Sequence, residues 1–343
     1  MKVAVIGAGI AGLATAYFLA KEGVKVEVYE QKFLLHGASG RNSGGITAQF
    51  GDEELIKLAI RSEELYDKLQ SEIGFNFLLR RNGYLKLANS IDELREIEVQ
   101  KKAGLKVKML EPEEVKDIFE DINTKAFKFA SFYPKGAVVF PWAVIWGLAK
   151  GCRELGVEVR DFTKVEVVAE NGKVKGVNFG EFREADVVVN AAGAWSKEIN
   201  EKLGIKDQKT IVKEEICVTE SIKPYIDPYI MHVSNGLFLS QSMRGEIVGG
   251  IVGRANGDMR SSLDFLIRYA KLATELVPKL KGLAVLRQWA GIYDETPNGR
   301  PKIGFSEIKG LFQLNGFGRK GMSIALACAE KASKEILKFT QEV

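Results

Sequence analysis

Three glycines and one acidic side chain near the start of the chain have the types and spacing to hold a dinucleotide. They stand in Gly7-Ala8-Gly9-Ile10-Ala11-Gly12, with Glu30 eighteen residues past Gly12. Without a Cβ, Gly7 and Gly9 let the backbone turn tightly and come close to a pyrophosphate, while Gly12 lets a helix pack against the preceding strand. The first turn of that helix, with Ile10 and Ala11, offers free N–H groups and a partial positive charge to phosphate. Glu30, at the end of a second strand and followed by Gln31, is placed to accept hydrogen bonds from a ribose.

A lone glycine motif is a weak signal, and its context strengthens it. Val3 to Ile6 is an apolar run that reads as a strand, a helix follows to about Gly23, and Val24 to Glu30 reads as the next strand. A leader peptide or membrane anchor is disfavoured by the glycines, the single leading Lys2 and the lack of a polar small-residue cleavage region. The chain has 343 residues, 46% hydrophobic, enough for two domains with an ample core. Its 49 basic and 45 acidic residues are mixed along the sequence, without the basic stripe that a nucleic-acid partner needs. Three scattered cysteines and two histidines argue against a disulfide framework or a metal cluster, and point to a reducing cytoplasm. Abundant Lys, Glu, Ile and Val with few Gln suggest a heat-adapted source.

After Glu30, the run Gly37-Ala38-Ser39-Gly40-Arg41-Asn42-Ser43-Gly44-Gly45 concentrates small and polar residues. Placed after a ribose-binding strand, it would run back along the cofactor with amides and hydroxyls available to it. Helices are expected over Asp52 to Ile73, Asp92 to Gly104, from Met109 to Glu114 onward, and over Ala143 to Leu155, Leu263 to Leu276 and the C-terminus to about Phe339. Strands are expected at Asn82 to Leu87, Val157 to Val168, Val174 to Phe179, Ala185 to Asn190, within Ile211 to Gly253, and at Leu311 to Leu314. Asn171-Gly172 marks a hairpin turn. A second glycine turn, Asn315 to Met322, precedes the last helix and presents another dipolar N-terminus. His232, alone before a strand, reads as structural.

Taken together, the opening motif, the segment Gly40-Arg41-Asn42-Ser43 with Ile46 to Phe50, and the stretch Arg287 to Gly304 carry a family resemblance. The chain resembles the FAD-dependent D-amino-acid-oxidase-like superfamily. Within it, the chain looks most like the β subunits of heterotetrameric sarcosine oxidase and of archaeal dye-linked L-proline dehydrogenase. The resemblance spans nearly the whole chain. It implies an α/β fold, a Rossmann-type FAD-binding domain with an inserted α+β substrate domain. The expected division is 1–48, 138–210 and 285–343 for the FAD-binding domain, and 49–137 with 211–284 for the substrate domain.

The resemblance also implies roles. Ser39, Gly40, Arg41, Asn42 and Ser43 would lie against the flavin, the backbone at Val165 would pair with adenine, and Ala192, Gly193 and Trp195 would approach the cofactor closely. Gly291, Gly316, Gly318, Arg319, Lys320, Gly321 and Met322 would complete the cofactor site, with Lys320 adding positive field at the pyrimidine edge. Phe238 to Gly250 resembles the sheet that covers the flavin. Gln241 and Arg244 are candidates for lining the substrate pocket there, although an exposed hairpin turn explains Arg244 equally well. Tyr293 would sit near the substrate.

Two departures from the family pattern matter. The cations that commonly hold a substrate carboxylate are replaced by Thr47 and Ser323, leaving Arg319, Lys320 or Arg244 to take over, or a substrate that is not a simple amino acid. The lysine that oxygen-using relatives place over the flavin is replaced by Ile247 and Val248, and the cysteine that binds flavin covalently is missing, Cys328 lying further along. Noncovalent FAD is therefore expected, in a dehydrogenase that oxidises an L-proline- or sarcosine-like secondary amine and passes electrons to a dye, a quinone or a partner subunit. The alternatives are an oxidase or dehydrogenase of a D-amino acid or glycine, an NAD-binding dehydrogenase, and a non-catalytic FAD-bearing subunit.

Overall fold

The computed structural model describes residues 1–253 and 258–341. The opening strand Lys2–Ile6 is buried at every residue after Lys2, as a strand covered on both faces of a parallel sheet must be. It pairs in parallel with Lys25–Tyr29 and with Val187–Asn190. The full order of this six-stranded sheet is Lys302–Phe305, Leu311–Asn315, Val187–Asn190, Lys2–Ile6, Lys25–Tyr29 and Glu158–Arg160. The edge strand Lys302–Phe305 runs antiparallel to its neighbour. Helices Ile10–Lys21, Glu53–Ile73, Pro141–Glu154 and Gly321–Gln341 share one core with it, through Leu13, Leu65, Leu148 and Leu326. Asp52 caps the second of these by accepting from the N–H groups of Glu54 and Leu55, and left-handed Gly74 ends it.

An eight-stranded sheet stands beside the first. Its order is Val285–Glu295, Thr210–Ser221, Glu246–Ile251, Leu237–Gln241, Tyr229–His232, Tyr84–Ala88, Phe129–Tyr133 and Lys108–Leu110. The amphipathic helix Leu263–Leu276 covers one face, burying Phe265 and Tyr269 with Leu239 and Ile247. A small meander of Glu166–Glu170, Lys173–Asn178 and Phe182–Glu184 packs Val174 and Val177 against Ala4, Ile6 and Val188 of the six-stranded sheet, its first turn made by Asn171 and Gly172, both at positive φ as the expected hairpin requires.

Several expectations need correction. Residues 285–295 were set with the nucleotide-binding part, yet Val285–Glu295 is hydrogen-bonded along Thr210–Ser221, from Glu295 opposite Thr210 to Val285 opposite Thr219. The single strand expected over 157–168 breaks at Phe162, whose φ is 50°, so Glu158–Arg160 joins the parallel sheet and Glu166–Glu170 the meander. The helix expected over 92–104 is a 3-10 turn, Ile91–Leu94, followed by the short helix Ile97–Lys102. Lys108–Leu110 is a strand, and the helical turn with its early proline begins only at Pro112.

The two sheets meet at a buried polar seam. Lys209, 2% exposed, sends its ammonium to Asn315 Oδ1 at 2.5 Å, to Asp207 Oδ2 at 3.2 Å, to Asp294 Oδ2 at 3.4 Å and to the Ser196 hydroxyl. Asp294 Oδ2 also accepts from the Gly316 N–H at 2.7 Å and the Ser196 hydroxyl at 3.2 Å. Asn190, Asn200 and Gln313 extend the network, all buried and mutually hydrogen-bonded. A buried ammonium is tolerable only with such a set of partners.

Candidate active site and cofactor cleft

One cleft of about 680 Å³ runs from the Gly7 turn to the underside of the eight-stranded sheet. At its first end the walls are main chain. Gly7 has φ 103°, and a Cβ there would lie 2.4 Å from the Ala191 carbonyl oxygen. A Cβ on Gly12 would lie 2.0 Å from the Gly7 carbonyl, so Gly12 does not line the cleft but lets helix and strand close up. The Ser39 hydroxyl accepts from the Ile10 N–H at 3.1 Å, pinning the 37–45 loop to the first helical turn.

Glu30 lines the cleft with Gln31, and its carboxylate accepts from the N–H groups of Ala8 and Lys32. Burial raises its pKa, against the pull of those two N–H bonds. Val165, Ala192, Gly193 and Trp195 complete this end.

The loop with Arg41 is clamped to the strand Val285–Glu295. Arg41 donates through Nε to the His36 carbonyl and through Nη1 to the Ala290 carbonyl, and its own carbonyl accepts from the Trp289 indole. Asn42 ties the loop internally, donating to the Ala38 and Ser39 carbonyls and accepting from the Gly44 N–H. Ser43 pairs with the Tyr229 hydroxyl at 2.8 Å. A glycine cradle, a free helix N-terminus and a carboxylate at the end of the second strand together fit an adenine dinucleotide.

A family model described as DAO, FAD dependent oxidoreductase, matches residues 2–334. The chain belongs to this FAD-dependent oxidoreductase family. Among curated relatives it is 30% identical over 334 residues to the sarcosine oxidase subunit beta of Rhodobacter capsulatus, covering 93% of this chain and 80% of that one. It is 28% identical to the glycine oxidase of Bacillus licheniformis, covering 97% and 92% respectively. Among solved structures, the L-proline dehydrogenase from P. horikoshii superposes with a TM-score of 0.92 at 33% identity, covering 98% of this chain and 93% of that one. These findings set aside an NAD-binding dehydrogenase.

The far end of this oxidoreductase's cleft is made of side chains. Strand alternation sends Tyr84 and Lys86, Tyr229 and Met231, Glu214, and Tyr293 with Glu295 to the same surface. Tyr84 stacks on Tyr229 with ring centroids 4.6 Å apart. Arg319 enters this surface from the turn before the last helix, its Nε 2.6 Å from Glu214 Oε2 and its guanidinium 5.0 Å above the Phe238 ring. Burial pushes the Glu214 carboxyl up and Arg319 draws it back, while Glu214 holds Arg319 firmly charged. Lys320 also lines the cleft, 4.0 Å from Glu295, and burial lowers its pKa.

Two expected pocket residues lie elsewhere. Gln241 is 1% exposed and fully engaged with main chain outside the strands: its oxygen accepts from the N–H groups of Tyr225 and Ile226, and its nitrogen donates to the carbonyls of Ile222, Lys223 and Gly245. Arg244 sits on an exposed turn, paired with Glu246. A residue on the turn beyond a strand escapes the alternation that would aim it at the cleft.

Gly40 and Gly316 shape turns behind the wall rather than line it: a Cβ on Gly40 would lie 2.2 Å from the Leu35 carbonyl, and Gly316, at φ 79°, donates to Asp294. Gly291, Gly318, Gly321 and Met322 line the cleft. Thr47 and Ser323 meet there, the Thr47 N–H donating to the Ser323 hydroxyl at 3.0 Å. His232 is buried and bonded to the Ala126 carbonyl, away from the cleft. Sequence reasoning missed Tyr84, Lys86, Glu214, Tyr229 and Met231. The period of two in Tyr84-x-Lys86 and Tyr229-x-Met231 is the signal for four of them, and Glu214 stands outside it.

Proposed function

We propose that this chain is an amine or amino-acid dehydrogenase that oxidises the C–H next to nitrogen in an L-proline- or sarcosine-like secondary amine. The observation that carries the reading is the continuity of the cleft from the dinucleotide cradle to a surface that carries Tyr84, Tyr229 and Tyr293 with Arg319 and Glu214. Bound FAD supplies the hydride acceptor. The protein's own part is to orient the substrate beneath the eight-stranded sheet, keep water out and favour the neutral amine. On this reading segments 1–48, 138–210 and 296–343 carry the cofactor, and 49–137 with 211–295 carry the substrate.

FAD is held without a covalent bond, since Cys152, Cys217 and Cys328 are buried and none lines the cleft. Electrons leave to a dye, a quinone or a partner subunit rather than to oxygen: the positions resembling an oxidase lysine are Ile247, fully buried in the core behind the sheet, and Val248. Among the described residues no helix is long and apolar enough to cross a membrane.

The test is anaerobic. Visible spectra of the purified holoprotein are recorded while L-proline, sarcosine, glycine and D-amino acids are added. Bleaching by a secondary amine supports the reading, and bleaching only by glycine or D-amino acids replaces it. A flavin that no member reduces points to a non-catalytic subunit, the reading that uncharged Thr47 and Ser323 favour.

A further inference from the structure

Beyond Glu30 the cleft ends in a slot between two elements. On one side stands the run from Thr163 to Val167, which enters the strand Glu166–Glu170; on the other stands the helix Ser196–Lys202, capped by Leu203. The walls are apolar: Val165, Val167, Ala192, Ile199 and Leu203 line the cleft here and pack in one cluster with Tyr29 and Val188. A flat uncharged ring suits such walls, and the adenine of bound FAD would lie at this end, past a ribose at Glu30.

The rim of the slot is charged where its walls are not. Lys164 Nζ reaches Glu198 Oε1 at 3.2 Å, and Lys202 Nζ reaches the same Glu198 oxygen at 3.6 Å and Glu166 Oε1 at 3.1 Å. All four side chains line the cleft. The signs alternate along Lys164, Glu198, Lys202 and Glu166, and two of the three pairs cross from one side of the slot to the other. Among the described residues no other hydrogen bond or ion pair joins 163–170 to 193–203. Each side is anchored at its own base instead. The Thr163 N–H donates to the Glu30 carbonyl at 2.7 Å, while Asn200 is hydrogen-bonded to Asn190, Asp207 and Gln313 in the polar seam.

Two positive and two negative charges cancel, so this rim does not recruit a phosphate. Each charge is answered by another protein charge, so the rim needs no bond to the cofactor. We propose that Lys164, Glu198, Lys202 and Glu166 form an ionic strap across the adenine end of the cofactor slot, which must part for FAD to enter or leave. Because the strap joins protein to protein, it sets the rate of cofactor exchange and not the affinity. Exposed ion pairs are individually weak, so the strap opens without unfolding either element. Its attraction is also open to screening, whose length falls from about 30 Å at 0.01 M salt to about 3 Å at 1 M. The inference concerns retention of the family's cofactor and holds whichever amine is oxidised.

The test follows FAD on the holoenzyme. Release is read by exchange against excess radiolabelled FAD, affinity is read from the FAD fluorescence that appears on serial dilution, and the two together give the rate of entry. Glu198→Gln cuts one crossing pair and the pair within the helix. At 0.01 M salt it is expected to release FAD on the order of five- to tenfold faster than the wild type, and to take it up faster by the same factor, with affinity within about twofold. At 1 M salt the difference from the wild type should vanish. The fourfold reversal Lys164→Glu/Glu166→Lys/Glu198→Lys/Lys202→Glu restores the alternation with opposite signs, and both rates should return to wild-type values.

Faster release with an equal loss of affinity and unchanged entry would mean that Glu198 holds the cofactor directly, which overturns the strap. Unchanged release in Glu198→Gln at low salt overturns it too, since the pairs would then be ordinary surface contacts. A folded reversal variant that still exchanges FAD as fast as Glu198→Gln does the same. The functional reading fails separately, on amine-dependent bleaching, which enters none of these rates.

Discussion

At the dinucleotide end the cleft is walled by main chain from Gly7, Gly9, Ala192 and Gly193; at the other end it is walled by the side chains of Tyr84, Glu214, Tyr229, Tyr293 and Arg319. The first set falls in short segments whose local order, strand, glycine turn and helix, already dictates their geometry. The second comes from four strands and one turn, brought together only by the pairing of Tyr229 with Tyr84 and of Val212 with Tyr293. At Gly7 the main-chain wall tolerates no added atom. A wall of side chains can change its chemistry by single substitutions while the sheet behind it stands.

The sharpest way to break this contrast is Gly7→Val. The new side chain would start 2.4 Å from the Ala191 carbonyl oxygen, at a φ of 103° that valine strongly resists. The expected outcome is protein purified without flavin absorbance, whereas Tyr84→Phe at the other end keeps its flavin.

Next comes the seam between the regions. Lys209→Met strips the ammonium from Asp207 and Asp294 and leaves two buried carboxylates facing each other's field, at a cost of about 3–5 kcal/mol. Chemical denaturation should register that loss.

A third measurement concerns Glu63, on the helix Glu53–Ile73, which is 5% exposed and accepts from the Tyr133 hydroxyl of the eight-stranded sheet at 2.8 Å. Burial raises its pKa to about 7, against the Tyr133 bond. The native state therefore binds a proton that the unfolded chain releases near its ordinary pKa. This contribution is fully present below about pH 4.5 and is lost as pH rises through about 7. Glu63→Gln should flatten that slope, and above pH 7 it should be the more stable protein by up to about 3 kcal/mol. Denaturation curves for both proteins across pH 5 to 8 check it.

The smallest effect is expected at Arg244→Ala. Its exposed pair with Glu246 contributes within about 0.5 kcal/mol, and amine-dependent bleaching should keep its wild-type KM. A raised KM would return Arg244 to the substrate pocket.

The same contrast explains what the sequence disclosed. The glycine motif, Glu30, the 37–45 loop and the last glycine turn could be read because each is contiguous and its residue types have few other uses. Gln241 and Arg244 stand at the end of the strand Leu237–Gln241 and just beyond it; Arg244 lies on the exposed turn that is its alternative reading, and nothing in the local sequence says that Gln241 binds the main chain of residues 222–226 and Gly245. Residues 285–295 are grouped by sequence with the cofactor-binding segments, and the pairing of Val285–Glu295 with Thr210–Ser221 leaves no local mark in either stretch. Arg319 was visible as a cation in a glycine turn, but its bond to Glu214 joins positions 105 residues apart.

The seam around Lys209 also limits how the molecule can be recombined. Asp294 belongs to the strand Val285–Glu295 of one sheet, Asn315 to the strand Leu311–Asn315 of the other, and one ammonium answers to both. A chimera that grafts a foreign eight-stranded sheet onto this cofactor platform would take Asp294 from the Lys209 ammonium and leave it Asp207 alone as carboxylate partner among the described residues. The graft must carry Asp294 with it, or exchange the whole polar cluster for apolar residues at once.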